Sequence, residues 1–342
     1  MIKALMHCST LNTKGGMVSV TKNYLGYKDW GEYEVKFIPT HFDTNKWVLM
    51  VYFVLQFCKI WWHVMTGDYK IAHLHTAERG SFWRKKFLME FYHRHSIKVV
   101  MHHHAAEFED FYEKCSEAQK RKVQEAVAGN TLKQGFKSVV VENGILADKI
   151  RKKTDYTVKN GTFHFVQVGR LNISQKGQDI FISAVNELVN VRDIRNFQVH
   201  FVGDGESRPM LQEMVQKFHL EDYVIFEGTK SQDYLFEHLA DFDCFVQPSR
   251  YEGFGLTVAE AMAAGLPVLV SNIEGPMEVI DSGRVGLSFE AENIADLSDK
   301  LELILKGGYD YSMIDKAYER VKSKYDVAVT AQKYIEEYKK LK

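Results

Sequence analysis

The stretch from Cys244 to Ser271 constrains the fold of this chain most, because it predicts a strand, a glycine-rich loop, a helix and a second strand in succession. The apolar run Cys244–Gln247 is typical of a buried strand. Good helix formers occupy residues 257–264, and Gly265 is typical of the residue that ends a helix. This succession predicts one unit of a parallel sheet with helices on its faces.

The loop Glu252–Gly255 and the helix after it have the chemistry of a nucleotide-sugar site. Glycines let the backbone approach a ligand closely, and the first turn of a helix offers unpaired N–H groups that attract a phosphate. Glu252 and Glu260 bracket this anion site. Since carboxylates repel a phosphate, the pair is better suited to sugar hydroxyl groups. The alternative is an ordinary strand–loop–helix unit without a ligand.

Length and composition are those of a two-domain chain. At 342 residues it is long enough for two domains of ordinary size. Its 44 Lys and Arg residues balance 45 Asp and Glu residues, which excludes a nucleic-acid binder held by bulk charge. The four cysteines form no Cys-x-x-Cys pair, and no signal peptide is visible. These features predict a cytoplasmic protein.

Strands alternate with helices along both halves, which predicts α/β domains with doubly wound parallel sheets. Ligands bind at the carboxyl ends of the strands in such sheets. In the first half we predict strands at residues 2–6, 34–39, 71–75, 98–101 and 139–141, and a helix at 17–25. In the second half we predict strands at 163–168, 199–202, 224–226, 244–247 and 268–270, and helices at 178–191, 208–218 and 234–240.

The apolar stretch from Trp47 to Met65 predicts an amphipathic helix. Its polar residues recur at spacings of three and four, on one helical face: Tyr52, Gln56, Lys59 and His63. This pattern argues against a membrane span and favours packing on the domain core. An in-plane membrane contact is the alternative, because Trp47, Trp61 and Trp62 suit a lipid interface.

Two motifs raise the question of a metal, and neither predicts one. The consecutive residues His102–His104 follow a strand, where successive side chains point in different directions, and no carboxylate or cysteine lies at ligand spacing. Asp241 and Asp243 end a predicted helix and enter a buried strand, where they can cap or turn the chain. We therefore expect no metal site.

The frame from Pro248 to Val268 resembles the donor-binding motif of family-4 retaining glycosyltransferases, which have the GT-B fold. That fold consists of two Rossmann-like, doubly wound parallel-sheet domains facing a cleft, with a C-terminal helix that crosses back to the first domain. The matching residues are Glu252, Gly253, Phe254, Gly255, Glu260, Ala261, Met262, Gly265, Pro267 and Val268.

The resemblance implies roles for particular residues. Those implied in catalysis are Glu252, His104, Arg170 and Lys176. Those implied in donor binding are Gly15, Gly16, Arg170, Lys176, Phe254, Gly255, Leu256, Thr257 and Glu260. Arg170 and Lys176, taken alone, are equally consistent with a solvated surface; the family motif makes them cations that neutralise the leaving diphosphate in place of a metal. Glu260 would hold ribose hydroxyls, Glu252 the donor sugar, and His104 would face that sugar.

The resemblance also implies the domain limits. Residues 1–153 would form the acceptor-side domain, 154–161 a linker, 162–325 the nucleotide-sugar domain and 326–342 the returning helix. The segment 121–138 departs from the family, because a buried strand ending in Leu-Ser and a helix are expected there. The first domain therefore looks one strand–helix unit short, and the acceptor side is the part in question.

The implied activity is a retaining, metal-independent transfer of a hexose or N-acetylhexosamine, without a cofactor. The donor is a nucleotide sugar, with a UDP-sugar favoured, and the acceptor is a glycan or a lipid-linked molecule in polysaccharide or glycoconjugate biosynthesis. The resemblance places the protein in the cytoplasm, with the inner membrane surface as a candidate partner. The alternatives are a sugar-nucleotide epimerase or phosphorylase and a catalytically silent binding protein. A nicotinamide dehydrogenase is disfavoured, because no Gly-x-Gly-x-x-Gly follows the first strand.

Overall fold

The computed structural model describes residues 1–13, 15–77, 80–104, 112–124 and 141–341. The chain forms two compact units. The first contains Met1–Gly144 and Val327–Lys342, and the second contains Ile145–Asp326.

The first unit ends at Gly144, whereas the sequence predicted its end at residue 153. The residues after Gly144 are tied to the second unit by buried contacts. The N–H of Arg151 donates to the carbonyl of Phe236 at 2.9 Å. The buried ammonium of Lys153 lies 2.9 Å from a carboxylate oxygen of Asp243. The segment predicted as a linker, 154–161, therefore belongs to the second unit.

The first unit is built on a four-stranded parallel sheet of order β2-β1-β3-β4. Its strands are β1 (Ile2–His7), β2 (Tyr33–Phe37), β3 (Tyr69–Thr76) and β4 (Lys98–His103). Its helices are α1 (Gly16–Gly26), α2 (Lys46–Thr66), α3 (Gly80–Arg94) and α4 (Glu117–Gln124), together with the C-terminal helix Val327–Lys340. Residues 139 and 140 of the predicted strand at 139–141 and most of the segment 121–138 lie outside the described residues.

Buried aromatic contacts fasten the C-terminal helix to the rest of the first unit. The hydroxyl of Tyr334 bonds to Nδ1 of His102 at 2.7 Å, and that of Tyr338 bonds to Nδ1 of His73 at 2.6 Å. The Tyr338 ring also stacks on Trp30. These contacts explain why residues distant in sequence fold as one unit.

The second unit is built on a six-stranded parallel sheet of order β10-β9-β8-β5-β6-β7. Its strands are β5 (Phe163–Val168), β6 (Phe197–Val202), β7 (Val224–Gly228), β8 (Cys244–Gln247), β9 (Val268–Ser271) and β10 (Leu287–Phe289). Its helices are α5 (Gln178–Asn186), α6 (Arg208–Lys217), α7 (Gln232–His238), α8 (Leu256–Ala263), α9 (Glu274–Val279), α10 (Ile294–Leu305) and α11 (Ser312–Arg320). The edge strand β10 has only three residues and escaped prediction.

The strand order of the second unit reverses between β5 and β8. From β5 the sheet continues through β6 to β7, and from β8 it continues the opposite way through β9 to β10. The connections that leave β5 and β8 therefore diverge, and a crevice opens at the carboxyl ends of these two strands. The predicted residues Arg170, Lys176 and Glu252 all follow one of these two strands.

Helix α2 packs on the core, as the sequence favoured, through a side that carries apolar residues such as Ile60 as well as polar ones. Gln56 is buried, and Tyr52 and His63 are half-buried. Most of the large apolar side chains are exposed, with Trp47 exposed by 77% and Trp62 by 61%. The favoured packing on the core is therefore observed, but Lys59 of the polar stripe is exposed, and most of the apolar side faces solvent.

Candidate functional site

Arg250 holds the loops after β5 and β8 together. Its N–H donates to the carbonyl of Gln175 at 2.9 Å. Its guanidinium forms two hydrogen bonds with the carboxylate of Asp179, at 2.8 and 2.9 Å. Such a two-pronged pair fixes orientation as well as distance. The short helical turn that carries Lys176 is therefore held against the loop that carries Glu252.

Lys176 and Glu252 form an ion pair at this junction. Each side chain is 18% exposed, so the pair is partly shielded from water. The amide of Gln247, the last residue of β8, donates to the same Glu252 oxygen at 2.9 Å. The hydroxyl of Thr257 donates in turn to the amide oxygen of Gln247 at 2.8 Å. Arg170 lies on the same loop as Lys176 and is exposed.

The first turn of α8 follows the loop for which the sequence predicted an anion site. Gly255 is its N-cap residue with a φ of 96°, a conformation that favours glycine, and no side chain caps the helix. The N–H groups of Leu256 and Thr257 belong to the first turn, where a helix has no internal acceptors. Gly275 supports this loop from behind, because a Cβ there would lie 2.4 Å from the carbonyl oxygen of Glu252.

Glu260 lies one turn further along α8 and is only 8% exposed. Burial raises its pKa to about 7. No hydrogen bond reaches its carboxyl oxygens from the residues that the structure describes. A buried acid in this state gains from any ligand that donates hydrogen bonds to it.

Phe254 and the Asp-x-Asp motif have structural partners. The Phe254 ring packs edge-on against Tyr325 at 5.1 Å, which anchors the loop. Asp241 pairs with Arg151. Asp243 accepts hydrogen bonds from Lys153 and from the N–H of His164. Both aspartates are engaged by protein groups, as expected of a structural role.

The remaining predicted residues lie in the first unit. Gly15 and Gly16 stand at the start of α1, which follows β1. His104 comes directly after β4, and a hydrogen bond of 2.8 Å joins its Nε2 to Nδ1 of His75. Burial among other imidazoles lowers the pKa of His104 well below its usual value, so its ring is neutral at pH 7. Ala105 lies outside the described residues.

Three buried histidines of this unit can be considered as metal ligands. One ring nitrogen from each of His73, His75 and His102 lies within 4.8 Å of the others. However, the rings of His73 and His75 are stacked with planes only 1° apart. A metal lies near the plane of each imidazole that binds it, so two stacked parallel rings cannot share one ion in this arrangement. The absence of a metal therefore stays a prediction.

The residues that organise these sites were not predicted from the sequence. Gln247 ends the strand before the recognised frame, and Arg250 lies in the loop at the start of that frame. Only their hydrogen-bond partners in the structure show what these two residues do. His73 and His75 had a detectable signal, since they alternate along a strand as His102 and His104 do. Because β3 and β4 pair in register, with His75 opposite His102, all four rings share one face of the sheet.

One known protein family matches this chain. Residues 148–322, about half of the chain, match the model of the family described as Glycosyl transferases group 1. The chain therefore belongs to this glycosyltransferase family, and the matched region lies within the second unit.

Relatives named as glycosyltransferases agree with this. An uncharacterized glycosyltransferase of Methanocaldococcus jannaschii is 32% identical over 178 residues, which are 51% of this chain and 46% of that protein. A second from the same organism is 28% identical over 248 residues, 69% of this chain and 63% of that protein. N-acetyl-alpha-D-glucosaminyl L-malate synthase of Bacillus anthracis is 29% identical over 159 residues, 46% of this chain and 40% of the enzyme. Each match spans less than two thirds of the relative.

Solved structures define the fold. Sucrose-phosphate synthase of Thermosynechococcus elongatus superposes with a TM-score of 0.76 over 100% of this chain and 99% of its own, at 17% identity. HepE of Anabaena, solved in complex with UDP and glucose, gives a TM-score of 0.71 over 99% and 100%, at 16% identity. The two parallel α/β units are thus those of the GT-B fold, as predicted.

Proposed function

We propose that this protein is a retaining glycosyltransferase that transfers a hexose or N-acetylhexosamine from a UDP-sugar without a metal ion. The observation that carries the proposal is the Lys176–Glu252 pair, set beside the open N-terminus of α8 at the strand-order reversal. The diphosphate of a nucleotide sugar needs a cation and free helix N–H groups, and its sugar hydroxyls need a carboxylate. All three kinds of group lie together here.

The nucleoside part of the donor binds along α8. Ribose hydroxyls donate to the carboxylate of Glu260, which has no partner among the described residues. The diphosphate accepts hydrogen bonds from the N–H groups of Leu256 and Thr257. Because Glu260 is buried, these hydroxyl contacts are made in a medium of low dielectric constant and favour its ionised form. HepE, a protein of the same fold, was solved with UDP and glucose.

Donor binding exchanges the partners of Lys176 and Glu252. The diphosphate oxygens replace Glu252 as the partner of the Lys176 ammonium, and Arg170 on the same loop provides a second cation. Glu252 then accepts hydrogen bonds from the donor sugar while Gln247 keeps its carboxylate in place. Both cations act most strongly when negative charge builds on the leaving diphosphate, which is what lowers the barrier. No divalent ion is needed for that charge.

The transfer is a same-face substitution at the anomeric carbon. The bond between that carbon and the phosphate oxygen breaks, the acceptor hydroxyl oxygen forms the new bond, and the departing phosphate oxygen takes the hydroxyl proton. The product keeps the anomeric configuration of the donor. His104, neutral and held by His75, orients the donor sugar and does not act as the base.

The acceptor is a glycan or a lipid-linked molecule, as in polysaccharide or glycoconjugate biosynthesis, and the protein acts in the cytoplasm. The family resemblance supports this choice. The names of two relatives, a kanosaminyltransferase and a sulfoquinovosyl transferase, state the sugar that is transferred and not the acceptor, so the acceptor has to be found by experiment.

A donor screen tests the proposal. The protein is incubated with a panel of nucleotide sugars, with and without simple glycoside acceptors and a chelator, and nucleoside diphosphate release is measured. We expect release from at least one UDP-sugar, unaffected by the chelator and lost in Lys176→Ala. Lys306→Ala is the matched control, because Lys306 also pairs with a carboxylate, that of Glu302, but on an exposed surface. Absence of any release or nucleotide binding would contradict the proposal.

A further inference from the structure

Helix α2 presents a continuous apolar surface to solvent. Among the described residues it is the one helix long and apolar enough to cross a membrane, and only 11% of its most apolar 18-residue window is buried. We call its outward side the α2 apolar face, defined by Trp47, Val51, Val54, Leu55, Trp61 and Trp62, all of which are exposed. Exposed apolar patches of this extent mark interaction sites.

We propose that the α2 apolar face docks onto the surface of a lipid bilayer, with the helix lying in the membrane plane. The proposal concerns the first unit and is independent of the reaction proposed for the second.

The topology excludes a spanning orientation. Helix α2 connects β2 to β3, and both strands are hydrogen-bonded to β1 in the same parallel sheet. Its inward side is part of the core, with Ile60 fully buried and the Phe57 ring 5.0 Å from that of Phe91. Threading the helix through a bilayer would break this sheet connection, whereas docking in the plane leaves it intact.

The arrangement of side chains favours lipid as the occupant. Tryptophan stands at both ends of the face, and its ring prefers the boundary between headgroups and acyl chains. Residues 46–66 contain no Asp or Glu, and their charged residues are Lys46 and Lys59. This balance suits anionic headgroups. The helix buries the polar Gln56 and exposes Val51, Leu55 and Trp62. This arrangement is stable if the medium on the outer side of the helix is apolar.

Helix α3 extends the same surface. Phe87 on α3 is 46% exposed, and its ring lies 5.1 Å from that of Phe57 and 6.1 Å from that of Phe53. The apolar surface therefore spans two packed helices and is a fixed feature of the folded unit. A broad fixed surface is better suited to a bilayer than a single exposed side chain.

Vesicle flotation of the intact protein tests the proposal. The vesicles are phosphatidylcholine with or without phosphatidylglycerol, and the variant is Val51→Asp combined with Leu55→Asp. We expect the parent protein to float with vesicles, more with phosphatidylglycerol, and its tryptophan fluorescence to shift to the blue. Two carboxylates in the apolar region should lower vesicle partitioning by about tenfold or more.

The matched control is Val191→Asp, since Val191 is 67% exposed on the second unit and Val51 is 58% exposed on α2. This control should float like the parent. The Val51/Leu55 variant should keep the parent melting temperature and UDP binding, which shows that it is folded.

Two results would overturn the proposal. One is equal vesicle binding, or equal absence of binding, in the parent and the Val51/Leu55 variant. The other is a dimer in sedimentation equilibrium that the variant disperses without any vesicle binding, because the face would then be covered by a second copy of the chain. Flotation without glycosyl transfer would refute only the proposed function.

Discussion

The ammonium of Lys176 is ion-paired with the carboxylate of Glu252, 76 positions later in the chain. The pair joins the loop after β5 to the loop after β8, where the strand order of the second unit reverses. The proposed function assigns the ammonium to the diphosphate of the donor and the carboxylate to its sugar.

Lys176→Ala and Arg170→Ala should each lower kcat by about a hundredfold, or on the order of 3 kcal/mol, since each removes a positioned charge from the transition state. The melting temperature should change little, because neither side chain is part of the hydrophobic core. Steady-state kinetics and thermal unfolding of both variants check this, with Lys306→Ala as the surface control. A parallel loss of melting temperature and activity would indicate a structural role instead.

Glu260→Ala should weaken UDP binding, because the ribose hydroxyls lose their acceptor. Glu252→Ala should leave UDP affinity unchanged or raise it, because the Lys176 ammonium loses its competing partner. It should nevertheless impair binding of an intact donor analogue. Calorimetry with UDP and with the analogue separates the two effects. If both substitutions weaken UDP binding equally, the assigned division between ribose and sugar is wrong.

Glu260 should make the stability of the second unit depend on pH. Burial raises its pKa from 4.5 in the unfolded chain to about 7 in the folded one. The folded state thus binds the proton more tightly, and this stabilisation is complete below pH 4.5 and is lost as the pH rises to 7. Between pH 4.5 and pH 8, the free energy of unfolding of Glu260→Gln should therefore rise by about 3 kcal/mol relative to that of the parent. Urea unfolding at both pH values measures it, and an unchanged difference would contradict it.

Removal of divalent ions should leave the transfer rate unchanged. Arg170 and Lys176 supply the positive charge, and the carboxylates of Asp241 and Asp243 are engaged by Arg151 and Lys153. Assays after chelator treatment and dialysis check this. If manganese restored a lost activity, Asp241 would have to be reconsidered.

The sequence predicted the regular elements well because their signals are local. The runs at β5 and β8 were predicted with their observed bounds, since strands buried on both faces are almost wholly apolar. The candidate donor loop could be predicted because its residues are contiguous in the sequence. Gln247 and Arg250 were missed because their roles depend on hydrogen bonds to residues on other segments.

Helix α2 shows a second limit. Its period was predicted correctly, yet a helical period does not state how much of each side meets the core, and the inward side combines Gln56 with Ile60. Likewise, His73 and His75 gain their neighbours His102 and His104 only through the register of β3 against β4. Packing between elements, and not local propensity, decided both cases.

The anomeric configuration of the product tests the central claim most directly. Proton NMR of the product formed from an active UDP-sugar should show the donor's configuration retained, with UDP released in equal amount. His104→Ala should lower the rate without changing this configuration, and His104→Asn should recover part of the loss. An inverted anomeric signal would contradict the account, and a trapped glycosyl–enzyme adduct would contradict its same-face mechanism.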